Sequence, residues 1–283
     1  MKVAASRIAP LSHGGLYGDT FHVRVDKVPI NIAYTDEALK PHMDLAYYES
    51  PPGLQFLHCV QFDEGVLGGD SIFYDTFVLA EILRDRHPEH FDTLCRVPAT
   101  FMKDHLDRDT PAQMFFRRPH IATNHLGEVT AVFWSPAFEG PLVLDGALSP
   151  STVVSTNTSK ATEATAAAGA AAAAPGGRHN GVCAVQEYYE AYRAFAALME
   201  DEEVAAAWKI KFRLSEGTIV SFNQRRLLHG RDAFTGHAGT RWLEGCYVGI
   251  DDFLNRYRTL HLTHGNGMRG VDSAPRAGNS CWR

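Results

Sequence analysis

The chain alternates short apolar runs with turn-forming residues more often than it repeats with a helical period. Residues 54–62, "LQFLHCVQF", are almost uniformly apolar and bounded by Pro-Pro-Gly and Asp-Glu-Gly, which predicts a buried strand. Residues 208–223 run "WKIKFRL", "SEG", "TIVSFN" and predict a hairpin closed by a glycine turn. Residues 241–250, "RWLEGCYVGI", predict a further strand. Three segments carry a helical pattern. "DTFVLAEILRDRH" starts at an N-cap aspartate, Asp75, with Val78, Leu79, Ile82 and Leu83 on one face. "VQEYYEAYRAFAALMED" places Tyr188, Tyr192, Phe195 and Met199 on one stripe, the pattern of a core-packed helix. "DDFLNRYRTLH" forms a third helix near the end. Many short strands with a few flanking helices predict a mainly β, closed or double-sheet architecture.

One segment stands apart. Residues 154–181 are Ala, Thr, Ser and Gly with almost nothing to bury. They read as a mobile surface insertion within one domain that spans residues 1–283.

Composition narrows the function classes. A net charge of -6 gives no electrostatic footprint for nucleic acid or an acidic membrane. No run of 18 apolar residues exists to span a membrane, and "MKVAASRIAP" is too short and polar for a signal peptide. The five cysteines, Cys59, Cys95, Cys183, Cys246 and Cys281, are odd in number and form no Cys-x-x-Cys pair. Reduced thiols in a cytoplasmic or organelle-matrix setting are expected.

Candidate chemistry starts with histidines. The chain has 14 of them, and His-x-Asp/Glu occurs four times: His42/Asp44, His87/Glu89, His90/Asp92 and His105/Asp107. Spacing alone does not choose among the four. A second constellation lies 185 residues beyond Asp44, where His229 follows an apolar strand and precedes a glycine. Arg241 comes 12 residues later, at the start of the next strand. Two histidines and one carboxylate on one face of an octahedron leave three positions open, the arrangement of non-haem Fe(II) oxygenases. A bidentate 2-oxo acid has a second carboxylate, for which a guanidinium offers a matching fork.

The motifs "NIAYTDEALKPHMDLAYYESPPGLQFLHC", "GGDSIFYD" and "NQRRLLHGRDAF…GTRWLEGCYVGIDDFLNRYR" are similar to those of the γ-butyrobetaine and trimethyllysine dioxygenase family. That family lies within the taurine-dioxygenase-like Fe(II)/2-oxoglutarate oxygenases. The resemblance runs from about residue 8 to about residue 262, apart from the alanine-rich insertion. It implies a double-stranded β-helix (jelly-roll) core, with Fe(II), 2-oxoglutarate and O2, and leaves room for ascorbate as a reductant and for a homodimer. It implies His42, Asp44 and His229 as iron ligands and Arg241 as the anchor of the distal 2-oxoglutarate carboxylate. Asn31 and Leu57 match positions lining the co-substrate or substrate site, and Ser71 matches a hydroxyl position used for the co-substrate in more distant relatives.

The implied substrate is a small quaternary ammonium compound, with γ-butyrobetaine, converted to L-carnitine, as the first expectation. Trimethyllysine or another betaine is the alternative, followed by a non-catalytic betaine- or metal-binding protein. A trimethylammonium group donates no hydrogen bond and is held by the negative faces of aromatic rings. Tyr17, Phe21, Tyr34 and Tyr247 match the aromatic cage, with Phe21 where tryptophan is usual. Tyr247→Ala is therefore expected to weaken substrate binding and leave iron content intact. Two departures stand out. In "FWSPAFEGP" Ser135 falls where an asparagine would help hold the substrate carboxylate, and nothing in the chain supplies the small zinc-binding domain that often precedes this region. Elsewhere, His58 reads as a satisfied core histidine, and "RRPH" at 117–120 as a surface or oligomer contact.

Overall fold

The computed structural model describes residues 1–12, 16–27, 29, 31–106, 111–144 and 181–264. The expected insertion lies outside these residues except for Gly181. The chain opens with a short helix, α1 (Lys2–Ile8), followed by strands β1 (Phe21–Val23), β2 (Leu39–His42), β3 (Leu54–Phe62) and β4 (Ser71–Asp75). Helices α2 (Thr76–Arg86) and α3 (Pro88–Arg96) lead into hairpins β5 (Pro98–His105)–β6 (Ala112–Pro119) and β7 (Ile121–Thr123)–β8 (Val129–Val132). Helices α4 (Gly181–Leu198) and α5 (Glu202–Trp208) precede β9 (Lys209–Phe212), β10 (Ile219–Asn223), β11 (Leu227–Arg231) and β12 (Arg241–Val248). Helix α6 (Ile250–His264) closes the described chain.

Two four-stranded antiparallel sheets form the core, in the orders β1-β12-β3-β10 and β2-β11-β4-β9. Strands from both ends of the chain pair within each sheet, as a jelly-roll core requires. The apolar run 54–62 is β3, flanked on one side by β12 and on the other by β10, which explains its two-sided burial. Strand β12 matches the expected extent to within two residues.

The expected hairpin at 208–223 does not form. Strand β9 pairs with β4, and β10 pairs with β3, so the chain crosses from one sheet to the other. Leu214, in the crossing segment, is buried with Cys59, Phe62, Val66, Phe234 and Leu243 between the sheets. Burying that side chain outweighs local closure of the turn. Arg213 fixes the crossing by donating to the carbonyls of Asp63, Val66 and Gly68.

Helix α2 begins as expected, with the Asp75 carboxylate accepting from the Phe77 amide. Its buried face is Thr76, Phe77, Leu79, Ala80 and Leu83, whereas Val78 and Ile82 are only partly covered. The face is turned because α2 is wedged between α3, α4 and β8. The stripe on α4 is core: Tyr188 and Phe195 are buried, with Tyr192 and Met199 at its margin.

The "RRPH" segment is not a surface contact. Arg118 is buried, donates to the carbonyls of Tyr48 and Glu49, and lies over the rings of Phe116 and Phe133. His120 is fully buried, with Nδ1 on the Phe133 carbonyl at 2.8 Å and Nε2 on the Tyr188 hydroxyl at 2.8 Å. Hydropathy misreads both because buried polar groups persist wherever each finds a partner.

Burial holds the His120 pKa down, to about 4, while the unfolded chain protonates near 6.5. The stability His120 contributes is therefore complete above 6.5 and lost as pH falls toward 4. Burial pushes Glu139 the opposite way, up to about 7, and Glu139 shares this polar layer through Tyr192. Its contribution is complete below its unfolded value of 4.5 and lost as pH rises through 7. The two slopes oppose each other across the same interval. The Glu139→Gln variant should lose about 2 kcal/mol between pH 6.5 and pH 5, more than the wild type loses. Denaturant midpoints at the two pH values check this, and equal losses would rule it out.

Candidate metal centre and its cavity

Register places the central side chains. In the β11–β2 pair, His229 lies directly opposite His42, and both project to one side with ring centroids 4.4 Å apart. Gly230 allows this approach: a Cβ there would lie 2.6 Å from the Leu39 carbonyl oxygen. Asp44 follows β2 directly. Its backbone amide donates to Gln224 Oε1, and Gln224 is itself fixed by donating to the Pro52 carbonyl. The next residue, Leu45, has φ of 60°, the only described non-glycine in the left-handed region. Such backbone collects where a site over-determines it.

Asp44 Oδ1 stands 3.4 Å from His42 Nε2, and Oδ2 stands 3.6 Å from His229 Nε2. One donor atom from each residue lies within 4.8 Å of those of the other two. Ion bonds of about 2.1 Å in cis positions ask for donors about 3 Å apart, so small side-chain shifts suffice. His42 Nδ1 donates to the Lys40 carbonyl at 2.9 Å, which directs Nε2 at the cluster. His229 Nδ1 is buried with no hydrogen-bond partner among the described residues.

Electrostatics suit a cation. Burial works against the Asp44 charge, yet His229, His42 and the Tyr247 hydroxyl outweigh it and hold the carboxyl well below the usual range. Burial and the neighbouring His42 hold His229 down to about 4. For His42 burial also opposes the charge, but Asp44 and the Lys40 carbonyl prevail and its pKa is raised. The cluster thus offers an ionised carboxylate at Asp44 and a neutral imidazole at His229. These residues fit a divalent ion taking nitrogen and oxygen donors.

The cluster lines one cavity together with Tyr17, Phe21, Asn31, Tyr34, Leu57, Ser71, Arg241 and Tyr247, so eleven of the twelve expected site residues come together. Ser135 does not join them. It is fully buried at the start of a 3-10 turn, Pro136–Phe138, and the turn sends Phe138 to the cavity instead.

Arg241 and Arg231 form the basic end. Arg241 is 4 % exposed, donates from Nε to the Gly69 carbonyl, and meets no carboxylate within 4 Å among the described residues. Burial and the nearby Arg231 lower its pKa to about 9. Leaving a buried cation without a close carboxylate is costly. Arg231 donates to the carbonyls of Ala33, Thr35 and Glu37, and so pins the 3-10 turn Ile32–Tyr34 that carries Tyr34. Asn31 caps that turn by accepting from the Ala33 amide.

The aromatic end is built on β12. Phe21 sits over Gly245, its cross-strand partner, where a Cβ would meet the ring at 2.1 Å. The Phe21 ring stacks beside Tyr247 at 5.0 Å, with Tyr17 edge-on to Phe21 at 6.3 Å. Tyr34 lines the same cavity from its turn. The Tyr247 hydroxyl donates to Asp44 Oδ2 at 2.8 Å, so Tyr247→Ala would also remove a support of the metal cluster. This hydrogen bond argues against the expected separation of substrate binding from iron content in that variant.

Nine lining residues escaped the sequence reading, and four of them are polar or aromatic: Gln55, Tyr47, Phe138 and Arg231. Gln55 and Arg231 each lie two residues from an expected site residue on the same strand, Leu57 and His229, and strand periodicity would have found them. The other His-x-acid pairs do not join the cavity. His87, Glu89 and His90 form a separate, mostly exposed group, and Asp107 lies outside the described residues. His58 is part-buried, with Nδ1 4.0 Å from Glu244 and no hydrogen bond.

Fold and cluster together define a double-stranded β-helix protein with a two-histidine, one-carboxylate centre. The chain belongs to the taurine catabolism dioxygenase TauD, TfdA family, whose model matches residues 4–247. It is 30% identical over 244 residues to γ-butyrobetaine dioxygenase of Pseudomonas sp. (strain AK-1), covering 86% of this chain and 52% of that one. It is 27% identical over 260 residues to trimethyllysine dioxygenase of Meyerozyma guilliermondii, covering 90% and 52%. The chain thus spans about half the length of these relatives. Its fold matches that of the non-heme iron oxygenase OrfP, solved with Fe, succinate and (3S)-hydroxy-L-Arg, with a TM-score of 0.56 at 13% identity. That match covers 95% of this chain and 70% of OrfP. Among the described residues no helix is long and apolar enough to cross a membrane.

Because His42 must give up its proton to ligate, metal uptake should release a proton, and Mn(II) affinity should rise from pH 6 to pH 8. Titration at fixed ionic strength measures this. A flat profile would count against His42 as a ligand.

Proposed function

We propose that this chain is an Fe(II)- and 2-oxoglutarate-dependent dioxygenase that hydroxylates a trimethylammonium compound. The observation that carries this reading is one cavity with three parts. It holds a cluster of two imidazoles and a carboxylate (His42, Asp44, His229), a buried guanidinium with no carboxylate within 4 Å among the described residues (Arg241) and an aromatic wall (Tyr17, Phe21, Tyr247), with Tyr34 also lining it. Iron held there would supply oxygen activation: the substrate C–H becomes C–OH while 2-oxoglutarate is oxidised to succinate and CO2.

The protein's own task is placement. Arg241 would take the distal carboxylate of 2-oxoglutarate, giving a buried guanidinium the carboxylate it lacks within 4 Å among the described residues. Leu57, Asn31 and Ser71 line the same cavity. The aromatic faces would hold the quaternary ammonium, each worth roughly 0.5–2 kcal/mol as water is excluded. γ-Butyrobetaine, yielding L-carnitine, is the first substrate to try. Trimethyllysine or another betaine is the second reading. Ser135 favours keeping it in view, since the position expected to serve the substrate carboxylate is turned into the core.

Succinate release measured across γ-butyrobetaine, trimethyllysine and glycine betaine tests the reading. His229→Ala should abolish turnover, and Arg241→Ala should chiefly raise the 2-oxoglutarate concentration needed. Phe21→Trp should tighten binding of the preferred betaine by a few-fold, since tryptophan gives the strongest face for a cation. Full activity of His229→Ala, or no succinate with any trimethylammonium compound, would refute it.

A further inference from the structure

Two donors converge on one oxygen of Asp44. Gln55 Nε2 and the Tyr247 hydroxyl each stand 2.8 Å from Oδ2. Gln55 and Tyr247 are direct cross-strand partners on β3 and β12, so sheet register sets their spacing. A carboxylate oxygen has two lone pairs, and two donors are enough to engage them. Oδ1 carries neither donor and faces His42 Nε2 at 3.4 Å, whereas Oδ2, 3.6 Å from His229 Nε2, already accepts both.

We propose that Gln55 and Tyr247 are positioning residues that confine Asp44 to ligation through Oδ1 alone. The inference rests on the metal reading above. Its consequence is a count of coordination positions. Around a six-coordinate ion, two imidazoles and a chelating carboxylate leave two positions. Two imidazoles and a single oxygen leave three, enough for a two-atom grip by a 2-oxo acid and one further ligand.

Gln55 is a poor choice for packing alone. Its amide orientation is fixed, because only Nε2 can donate to a carboxylate. Oε1 is then buried with no hydrogen-bond partner among the described residues. An unsatisfied buried acceptor costs about 1–3 kcal/mol, which an apolar residue like its neighbours Leu54 and Phe56 would avoid. Tyr247 stays a donor: burial and Asp44 hold its phenol protonated.

Mn(II) binding and the absorption spectrum of the Co(II)-loaded protein test the proposal. Gln55→Leu and Tyr247→Phe should each weaken Mn(II) binding by about tenfold and change the Co(II) spectrum, as loss of outer support to a ligand does elsewhere. Tyr247→Phe keeps the ring and the cage face, so it separates the hydroxyl from packing. If the wild type binds Mn(II) and both the Gln55→Leu and Tyr247→Phe variants match it in affinity and Co(II) spectrum, the proposal is wrong. A wild type that takes up no Mn(II), or a His229→Ala variant that binds it equally well, overturns the metal reading and this inference with it.

Discussion

The pairing of β11 with β2 is the constraint on which the site depends. Two imidazoles 187 positions apart in sequence meet only because His229 and His42 occupy one register position of one ladder. A slip of a single residue would turn His229 to the opposite face of the sheet. The same strand carries Arg231 two residues further on, which binds three carbonyls of the loop ahead of β2. One strand therefore sets both a ligand and the segment that presents Tyr34 and Asn31. The neighbouring strand β4 fixes β11 from its other edge through five consecutive register pairs, which leaves little freedom to slide.

Charge within the cavity is divided by burial. Asp44 is the anionic pole, held ionised by the two histidines and by donors on Oδ2. Arg241 and Arg231 are the cationic pole, and burial depresses both. Arg231 gives its guanidinium to three backbone carbonyls, whereas Arg241, among the described residues, donates to one, that of Gly69, and lies over the rings of Phe62 and Phe234. The two are therefore unequal. Arg231 supports the loop and adds to the field, and Arg241 is the group with donors to give. A cation would be repelled from this end and attracted to the opposite wall, where ring faces and Asp44 lie.

Local patterns carried the strands whose neighbours are imposed by burial. The apolar run 54–62 could be little but a central strand, and the ligand order His-x-Asp, His, Arg is a property of sequence that the sheets convert into proximity. What stayed hidden is what depends on partners. The period of 209–212 and 219–223 says strand for both and nothing about which sheet each joins, and the burial of Leu214 decides that. Arg118 and His120 read as surface because their carbonyl and hydroxyl partners come from distant segments. Gln55 vanished inside an apolar run, where a lone amide looks like noise until its strand-mate Leu57 is known to face a cavity.

Tyr247 is where the two halves of the cavity meet. Its ring is part of the aromatic wall through its stack on Phe21, and its hydroxyl is bound to the carboxylate of the ligand triad. The ring cannot be pushed without moving the hydroxyl, because the two belong to one rigid group on a central strand. Anything that shifts the wall is therefore felt by Asp44, and anything that draws Asp44 toward an ion pulls on the wall. Linkage requires such an effect to be mutual: if loading of the centre changes affinity at the rings, occupancy of the rings changes affinity at the centre by the same factor. On the proposed reading, the Tyr247 phenol, shared between the aromatic wall and Asp44, is the route such coupling would take.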